Sequence, residues 1–252
     1  MLKNIAKKEI KENLWKLIIG MVFLTVPIFL IIFGYDLIIE LTTNPSIEQF
    51  ERFMPEMTLF YDDTSYIWSQ WNAKNLYQIG SVIAIILAMS QIAGEVSSNT
   101  IGFLLSKPVP RKKVYYTKAF AGIILLSITV ILTTALLLIL GYLFFDDLLI
   151  YPLLIASIIS LIGLYLIYSL SLFFSTIIDD PIKAGITTAI IVIASSIPGW
   201  FQTTRRFSLS TYIKGEDYIL NNQFPYLAIL IIIVITILII GIGANIFEKK
   251  EF

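Results

Sequence analysis

The sequence predicts an all-α polytopic membrane protein with six transmembrane helices. Hydrophobic residues make up 57% of the 252 positions, and the mean hydropathy is +0.84. A soluble domain rarely reaches these values, because it must cover its surface with polar groups. The apolar residues fall in stretches close to the ~20 residues that a helix needs to cross ~30 Å of hydrocarbon. Aromatic residues lie at several of their ends, as in interfacial belts. The predicted spans are residues 17–35, 76–92, 120–144, 153–174, 182–200 and 226–246.

Residues 1–16 are predicted to form an amphipathic helix before the first span. Ile5 and Leu14 fall on one arc of a helical wheel, and Lys7 and Lys11 fall opposite. Such a helix can lie at the interface of a membrane with an anionic surface. The alternative interpretation is a basic, solvated N-terminus. No small-residue cleavage site follows, so we do not expect a signal peptide.

The distribution of Lys and Arg predicts that both termini are cytoplasmic. If the N-terminus is inside, 13 of the 18 basic residues lie in inner segments. Acidic residues gather instead in the outer segments. The positive-inside rule therefore predicts a multi-pass protein of the plasma membrane, with the loop between the second and third spans in the cytoplasm.

Two outer segments are longer or more apolar than ordinary connections. Residues 36–75 are rich in aromatic side chains and contain a capping box that begins at Ser46. This segment is interpreted either as a lid over a substrate path or as packing on helix ends.

The second outer segment is residues 198–222, where Pro198 interrupts the fifth span early. The aromatic residues that follow predict short re-entrant helices before the last span.

The predicted spans carry no acidic or basic residue at mid-membrane. Ion-coupled carriers usually need such groups, so energy is expected to come from another subunit. The chain contains no Cys and no His, no phosphate-binding loop and no nucleophile–base–acid set. We therefore predict that it is not an enzyme and holds no metal or cofactor of its own. A formal net charge of zero gives no indication of nucleic-acid binding.

The fourth span carries polar residues at helical spacing along one face. They are Ser157, Ser160, Tyr168 and Ser171. The first interpretation is hydrogen bonding and packing between helices, as small-residue ridges on the second and fifth spans also indicate. The second is a weakly polar conduit for an amphipathic cargo.

The inner loop over residues 95–113 has the features of a docking element. Ser97 or Ser98 is predicted to cap a short helix over residues 99–106, and Pro108 ends it. The apolar residues of this helix, Ile101, Leu104 and Leu105, are expected to protrude beside a cluster of basic residues. The alternative is an amphipathic linker with lysines that extend to the membrane surface.

This loop resembles that of ABC-2 type transporter permeases. The family pattern is Glu, Gly-Thr, Leu-Leu-Ser-x-Pro-x-x-Arg and Gly-Lys. The chain matches it with Glu95, Thr100, Leu104–Leu105–Ser106, Pro108, Arg111 and Lys118, followed by a similar tail over residues 247–252. Asn99 and Thr117 stand where glycine is usual. Asn tolerates left-handed backbone better than most residues, which favours the same turn here.

The resemblance implies half of an ATP-driven exporter. Two permeases, identical or paralogous, would pair in the lipid bilayer, and each would engage a separate ATP-binding subunit that holds ATP and Mg²⁺. The loop helix would act as a coupling helix. The implied docking residues are Glu95, Thr100, Ile101, Leu104, Leu105, Ser106, Pro108 and Arg111. A second inner contact would involve Asp179, Asp180 and Lys183.

The uncharged spans suit an amphipathic peptide cargo, as in relatives that export toxin peptides or confer resistance to peptide antibiotics. A lipid, antibiotic or glycan is an alternative cargo. A non-transporting membrane sensor or immunity protein is an alternative class. The Ile- and Lys-rich composition suggests a Gram-positive bacterium.

Overall fold

The computed structural model describes residues 2–35, 37, 62–106, 108–201 and 203–251. Every regular element in these ranges is helical, which confirms the all-α prediction. The predicted capping box at Ser46 lies outside the described residues. The α-helices are α1 (Leu2–Phe33), α2 (Asp63–Gln70), α3 (Tyr77–Met89), α4 (Ala93–Ser97), α5 (Ile101–Leu105), α6 (Arg111–Phe144), α7 (Ile150–Ile177), α8 (Pro181–Ser196), α9 (Leu209–Ile213), α10 (Glu216–Asn221) and α11 (Tyr226–Lys249).

Five of the described helices are long and apolar enough to cross a membrane: α1, α6, α7, α8 with a 3₁₀ extension, and α11. They correspond to five of the six predicted spans. The second predicted span, residues 76–92, is different. Its α3 is 13 residues long, but a π-helical segment, Trp71–Leu76, joins it to α2 with right-handed backbone at both junctions. The helical rod therefore begins at Asp63, well before the predicted boundary.

Helix α1 differs from the predicted interfacial helix and separate first span. It is continuous from Leu2 to Phe33, and no Gly or Pro lies in residues 2–19 to separate an interfacial helix from the first span. Its buried residues in this region recur every four positions and are Ile5, Glu9, Asn13 and Leu17. Leu14, predicted on the apolar arc, is 42% exposed. The N-terminal turns thus pack on α6 as part of the bundle rather than forming a separate element.

The end of the fifth span confirms the predicted early interruption. Helix α8 stops at Ser196 and continues as a 3₁₀ turn, Ile197–Trp200, that contains Pro198. Proline has no backbone N–H and cannot continue the α-helical hydrogen-bond pattern. The short helices α9 and α10 follow, and both pack against α7.

Helix α7 is the centre of the bundle and contacts α3, α6, α8, α9, α10 and α11. Small residues allow these approaches. A Cβ atom on Gly80 of α3 would lie 2.9 Å from Leu164 of α7, which confirms the packing role of the predicted ridge on the second span.

Different parts of the chain pack against the two ends of α7. Near its start, Gly215 lies against Ala156. At its end, the Lys250 ammonium donates to the carbonyl of Thr176 at 2.8 Å. A rise of 1.5 Å per residue places Ala156 and Thr176 about 30 Å apart, which is the thickness of a hydrocarbon core. The backbone N–H of Ala93, the first residue of α4, also donates to Ser175 near the end of α7, so the inner loop and the α9–α10 segment lie near opposite ends of α7.

Candidate functional site

The inner loop folds as two short helices joined by a tight turn. Asn99 adopts a left-handed conformation, with φ of 56°, between α4 and α5. This confirms that Asn can make the turn where glycine is usual in the family pattern. The predicted cap is wrong, because Ser97 and Ser98 donate back to the Gly94 carbonyl. Helix α5 begins later, at Ile101, and no side chain caps it.

A buried ion cluster ties this loop to two long helices. Lys118 of α6 is 1% exposed, and its ammonium lies 2.5 Å from the Glu9 carboxylate of α1. The same ammonium lies 3.1 Å from the Glu95 carboxylate of α4. Lys8 also approaches Glu95 at 3.1 Å. One ammonium therefore joins α1, α4 and α6.

The cluster holds Glu95 as a carboxylate. Burial alone raises its pKa, but the charge of Lys118 and hydrogen bonds from Thr100, Lys118 and Lys8 lower the pKa to about 2. The Thr100 hydroxyl donates to the second carboxylate oxygen. Because buried charges without partners are costly, the arrangement holds only while all its members are present.

The same region brings together the carboxylates of Glu9, Glu12 and Glu95, whose oxygens lie within 4.8 Å of one another. Hard cations such as Mg²⁺ and Ca²⁺ prefer oxygen ligands of this kind. Here, however, Lys118 pairs with Glu9 and Glu95, and Lys8 pairs with Glu95 and Glu12, so each of the three acids already has an ammonium partner. The geometry favours ion pairing over metal binding.

The apolar residues of the loop do not protrude as predicted. Ile101 and Leu104 are 7% and 2% exposed and belong to the core, and Leu105 is half-buried against it. The exposed large residue of α5 is Phe103, at 73%. The prediction that Ile101 and Leu104 form an outward face is therefore wrong. In a helix of five residues, Ile101 and Leu104 lie on the same side, and this side packs against the core of the chain itself.

The beginning of α6 and the chain's tail are tied together. Arg111 donates to the carbonyl of Lys250 at 2.7 Å, and Lys112 pairs with Glu248 at 3.1 Å. Phe247 is fully buried, with its ring 5.7 Å from that of Tyr115. The tail motif thus anchors the last helix to the helix that follows the loop.

The residues predicted as a second inner contact are already partly engaged within the chain. Lys250 pairs with Asp179 at 2.6 Å and donates to the last turn of α7. Asp180 caps α8 by accepting from the backbone N–H groups of Ile182 and Lys183. The Lys183 residue is exposed. Asp179 and Asp180 therefore shape this turn, and Lys183 is accessible on it.

Comparison with known families identifies the chain. The sequence profile described as "ABC-2 family transporter protein" matches residues 3–203. The chain belongs to the ABC-2 transporter family. The match covers most of the chain and includes the ion cluster and the inner loop. A search of curated proteins found no match.

In this ABC-2 permease, the three serines predicted along one face of the fourth span form hydrogen bonds to other helices. Ser157 and Ser160 accept from the Asn72 amide at 3.1 and 3.4 Å. Ser171 donates to the carbonyl of Ile85 at 3.1 Å. Tyr168 is fully buried against Gly122 of α6. These contacts favour the packing interpretation over a conduit within one chain.

The sequence reasoning missed Glu9, the third member of the permease's ion cluster. On the helical wheel of residues 1–16 the apolar and basic residues dominate the pattern, so a single acid does not stand out. The signal in the sequence is the four-residue spacing that places Glu9 on the same side of a helix as Ile5 and Leu17, and the structure buries that side. A buried acid predicts a buried cation, and Lys118 in the family pattern was the candidate.

Proposed function

We propose that this permease is the transmembrane subunit of an ATP-driven exporter that moves amphipathic peptides of toxin or antimicrobial type out of the cell. Membership of the ABC-2 family implies an ABC ATP-binding partner in general. In our proposal two copies of that partner supply ATP and Mg²⁺ binding and hydrolysis. A second permease chain, identical or paralogous, completes the pathway.

The ion cluster is the observation that carries the proposal. A loop joined to α1 and α6 through the buried Lys118 cannot shift without moving those helices or separating charges. A force applied at the loop by a partner would therefore reach the membrane helices directly. This supports the loop over residues 95–113 as the place where ATP-driven motion enters the permease.

We propose a docking contact centred on Phe103. This ring projects from α5, and Ser106 and Pro108 beside it are exposed. Aromatic side chains at the centre of an interface often contribute much of its binding energy. Glu95, Thr100 and Arg111 then position the loop rather than touching the partner. Lys183 is the accessible residue of the proposed second contact.

The proposal includes a membrane topology. Our proposal has six crossings, the sixth formed by the helical rod over residues 63–89, with both termini in the cytoplasm of a Gram-positive bacterium. Helix α8 presents a stripe of exposed isoleucines. This stripe suits contact with a second permease chain.

The α9–α10 segment, in this proposal, re-enters the outer leaflet of the membrane.

The proposal is tested in vesicles that contain the permease and the ATP-binding subunit that co-purifies with it. We expect ATP-dependent transport of a labelled cationic amphipathic peptide, which is lost in Lys118→Met but kept in Lys113→Met, an exposed lysine of the same helix. Transport of a labelled lipid or glycan instead of the peptide would show that the cargo is not a peptide. A stoichiometric complex without ATP-dependent flux of any of these would favour a sensor or immunity protein.

A further inference from the structure

Two cavities meet at the end of the molecule opposite the ion cluster. One is a polar chamber of about 330 Å³ beside the α9–α10 turn. The other is a groove of about 690 Å³ along α11. Both are lined by Arg206, Tyr212 and Asp217. A molecule that binds at this junction can place a polar end in the chamber and an apolar end in the groove.

The junction offers one cation and one anion. Arg205 and Glu216, which also line the chamber, pair with each other. Arg206 and Asp217 form no ion pair with any residue in the part of the chain that the structure describes. The Arg206 guanidinium lies 4.9 Å from the Phe207 ring. The backbone carbonyl of Arg206 accepts a hydrogen bond from the Tyr212 hydroxyl at 2.9 Å. Arg206 is thus held at the chamber while its charge remains available.

The groove beyond the junction is apolar. Its wall on α11 runs from Leu227 through Ile231 to Ile235, a length of about 12 Å. Leu166 of α7 and Phe224 lie among the other lining residues. Leu227 and Ile231 are 74% and 48% exposed, so the groove opens sideways on a helix that carries no charged residue from Tyr226 to Phe247. In a membrane this opening faces the hydrocarbon.

We propose that this junction binds a phospholipid whose headgroup carries a phosphate and a primary ammonium, as in phosphatidylethanolamine. Arg206 binds the phosphate, for which the guanidinium fork is well matched. Asp217 accepts from the ammonium, and one acyl chain lies along α11. The charges argue for a zwitterionic lipid, because an anionic headgroup would leave Asp217 without a cation. The sideways opening argues for a lipid rather than a peptide, because a lipid enters from the bilayer. The site is independent of which cargo the permease carries.

Native mass spectrometry of the full chain tests the proposal. The protein is purified in mild detergent, exchanged into equal amounts of phosphatidylethanolamine and phosphatidylglycerol, and scored for retained lipid. We expect wild type to prefer phosphatidylethanolamine by about tenfold, as for one additional charge-assisted contact. Arg206→Gln should lose retention of both lipids, and Asp217→Asn should lose the preference. Lys249→Gln, an exposed lysine at the other end of α11, should behave as wild type.

A second variant separates lipid binding from misfolding. Ala228→Trp fills the groove without changing charge, and should reduce retention of both lipids while the protein stays monodisperse with unchanged helix content. Equal retention of the two lipids by wild type overturns the proposal. Wild-type retention by Arg206→Gln overturns it as well. Displacement of both lipids by a cationic amphipathic peptide at equimolar concentration would assign the junction to peptide instead.

Discussion

The Lys118 ammonium lies 3.1 Å from the Glu95 carboxylate, and both side chains are almost completely withdrawn from solvent. They come from different inner elements, since Lys118 belongs to a long membrane helix and Glu95 to the short helix that opens the loop. Glu9 adds a third element on the other side of the same ammonium. The loop is therefore fixed to the bundle by charge rather than by apolar contact alone.

Removal of Lys118 should be strongly destabilising. Lys118→Met leaves Glu9 and Glu95 buried without their shared cation, at a cost of about 3–5 kcal/mol. Thermal unfolding in detergent checks this, and Lys113→Met is the matched control because Lys113 is exposed in the same helix. Equal melting temperatures for the two variants would show that the cluster contributes little.

Acid should weaken the same cluster. The pKa of Glu95 is lowered from 4.5 to about 2 by Lys118, Thr100 and Lys8, despite the burial that raises it. A lowered pKa in the folded state stabilises the protein above pH 4.5, and this stabilisation is lost as the pH falls from 4.5 towards 2. Comparison with Glu95→Gln isolates the effect. The difference in melting temperature between wild type and variant should shrink over that range, and a constant difference would contradict it.

The tail should hold the turn between α7 and α8. Lys250→Met removes the contacts to Asp179 and to the Thr176 carbonyl at a helix C-terminus. The expected loss is modest, about 1 kcal/mol, because the pair is partly exposed. Hydrogen exchange over residues 176–180 should become faster in this variant and not in Lys249→Met. Unchanged exchange in both variants would mean that the tail does not order this turn.

The contact between Gly163 and Ile213 should be sensitive to added volume. Ile213 is fully buried, and a Cβ atom on Gly163 would overlap it. Gly163→Ala should therefore cost about 1–3 kcal/mol, and Ile213→Ala in the same chain should relieve part of that cost. Gly241→Ala, which meets no atom within 4 Å, is the control and should be neutral or slightly stabilising. An additive double-mutant cycle in thermal unfolding would contradict the contact.

Much of the fold could be predicted, because a helix that crosses the hydrocarbon of a membrane must have a minimum length and a high hydropathy. Five spans, the interruption at Pro198 and the turn at Asn99 depend on local chemistry that a sequence displays. The helical rod from Asp63 to Met89 was harder to delimit, because its first half is polar and aromatic and its π-helical segment has no composition signal.

The candidate site was only partly predictable for a different reason. An apolar face such as that of Ile101 and Leu104 has the same pattern whether it packs on its own chain or on a partner. Hydropathy cannot distinguish the two, and here the chain's own core takes both side chains. Glu9 and Lys118 are 109 residues apart in sequence, so their pairing requires the tertiary fold.

Docking at the inner loop is tested most directly by measuring the affinity of the co-purified ATP-binding subunit for two matched variants, Phe103→Asp and Phe201→Asp. Both rings are largely exposed, one on the inner loop and one at the opposite end of the molecule. If the ATP-binding subunit docks at this loop, Phe103→Asp should weaken binding about 30-fold or more, as expected for a central aromatic contact, while Phe201→Asp should bind as wild type. Wild-type affinity in Phe103→Asp would contradict docking at this loop.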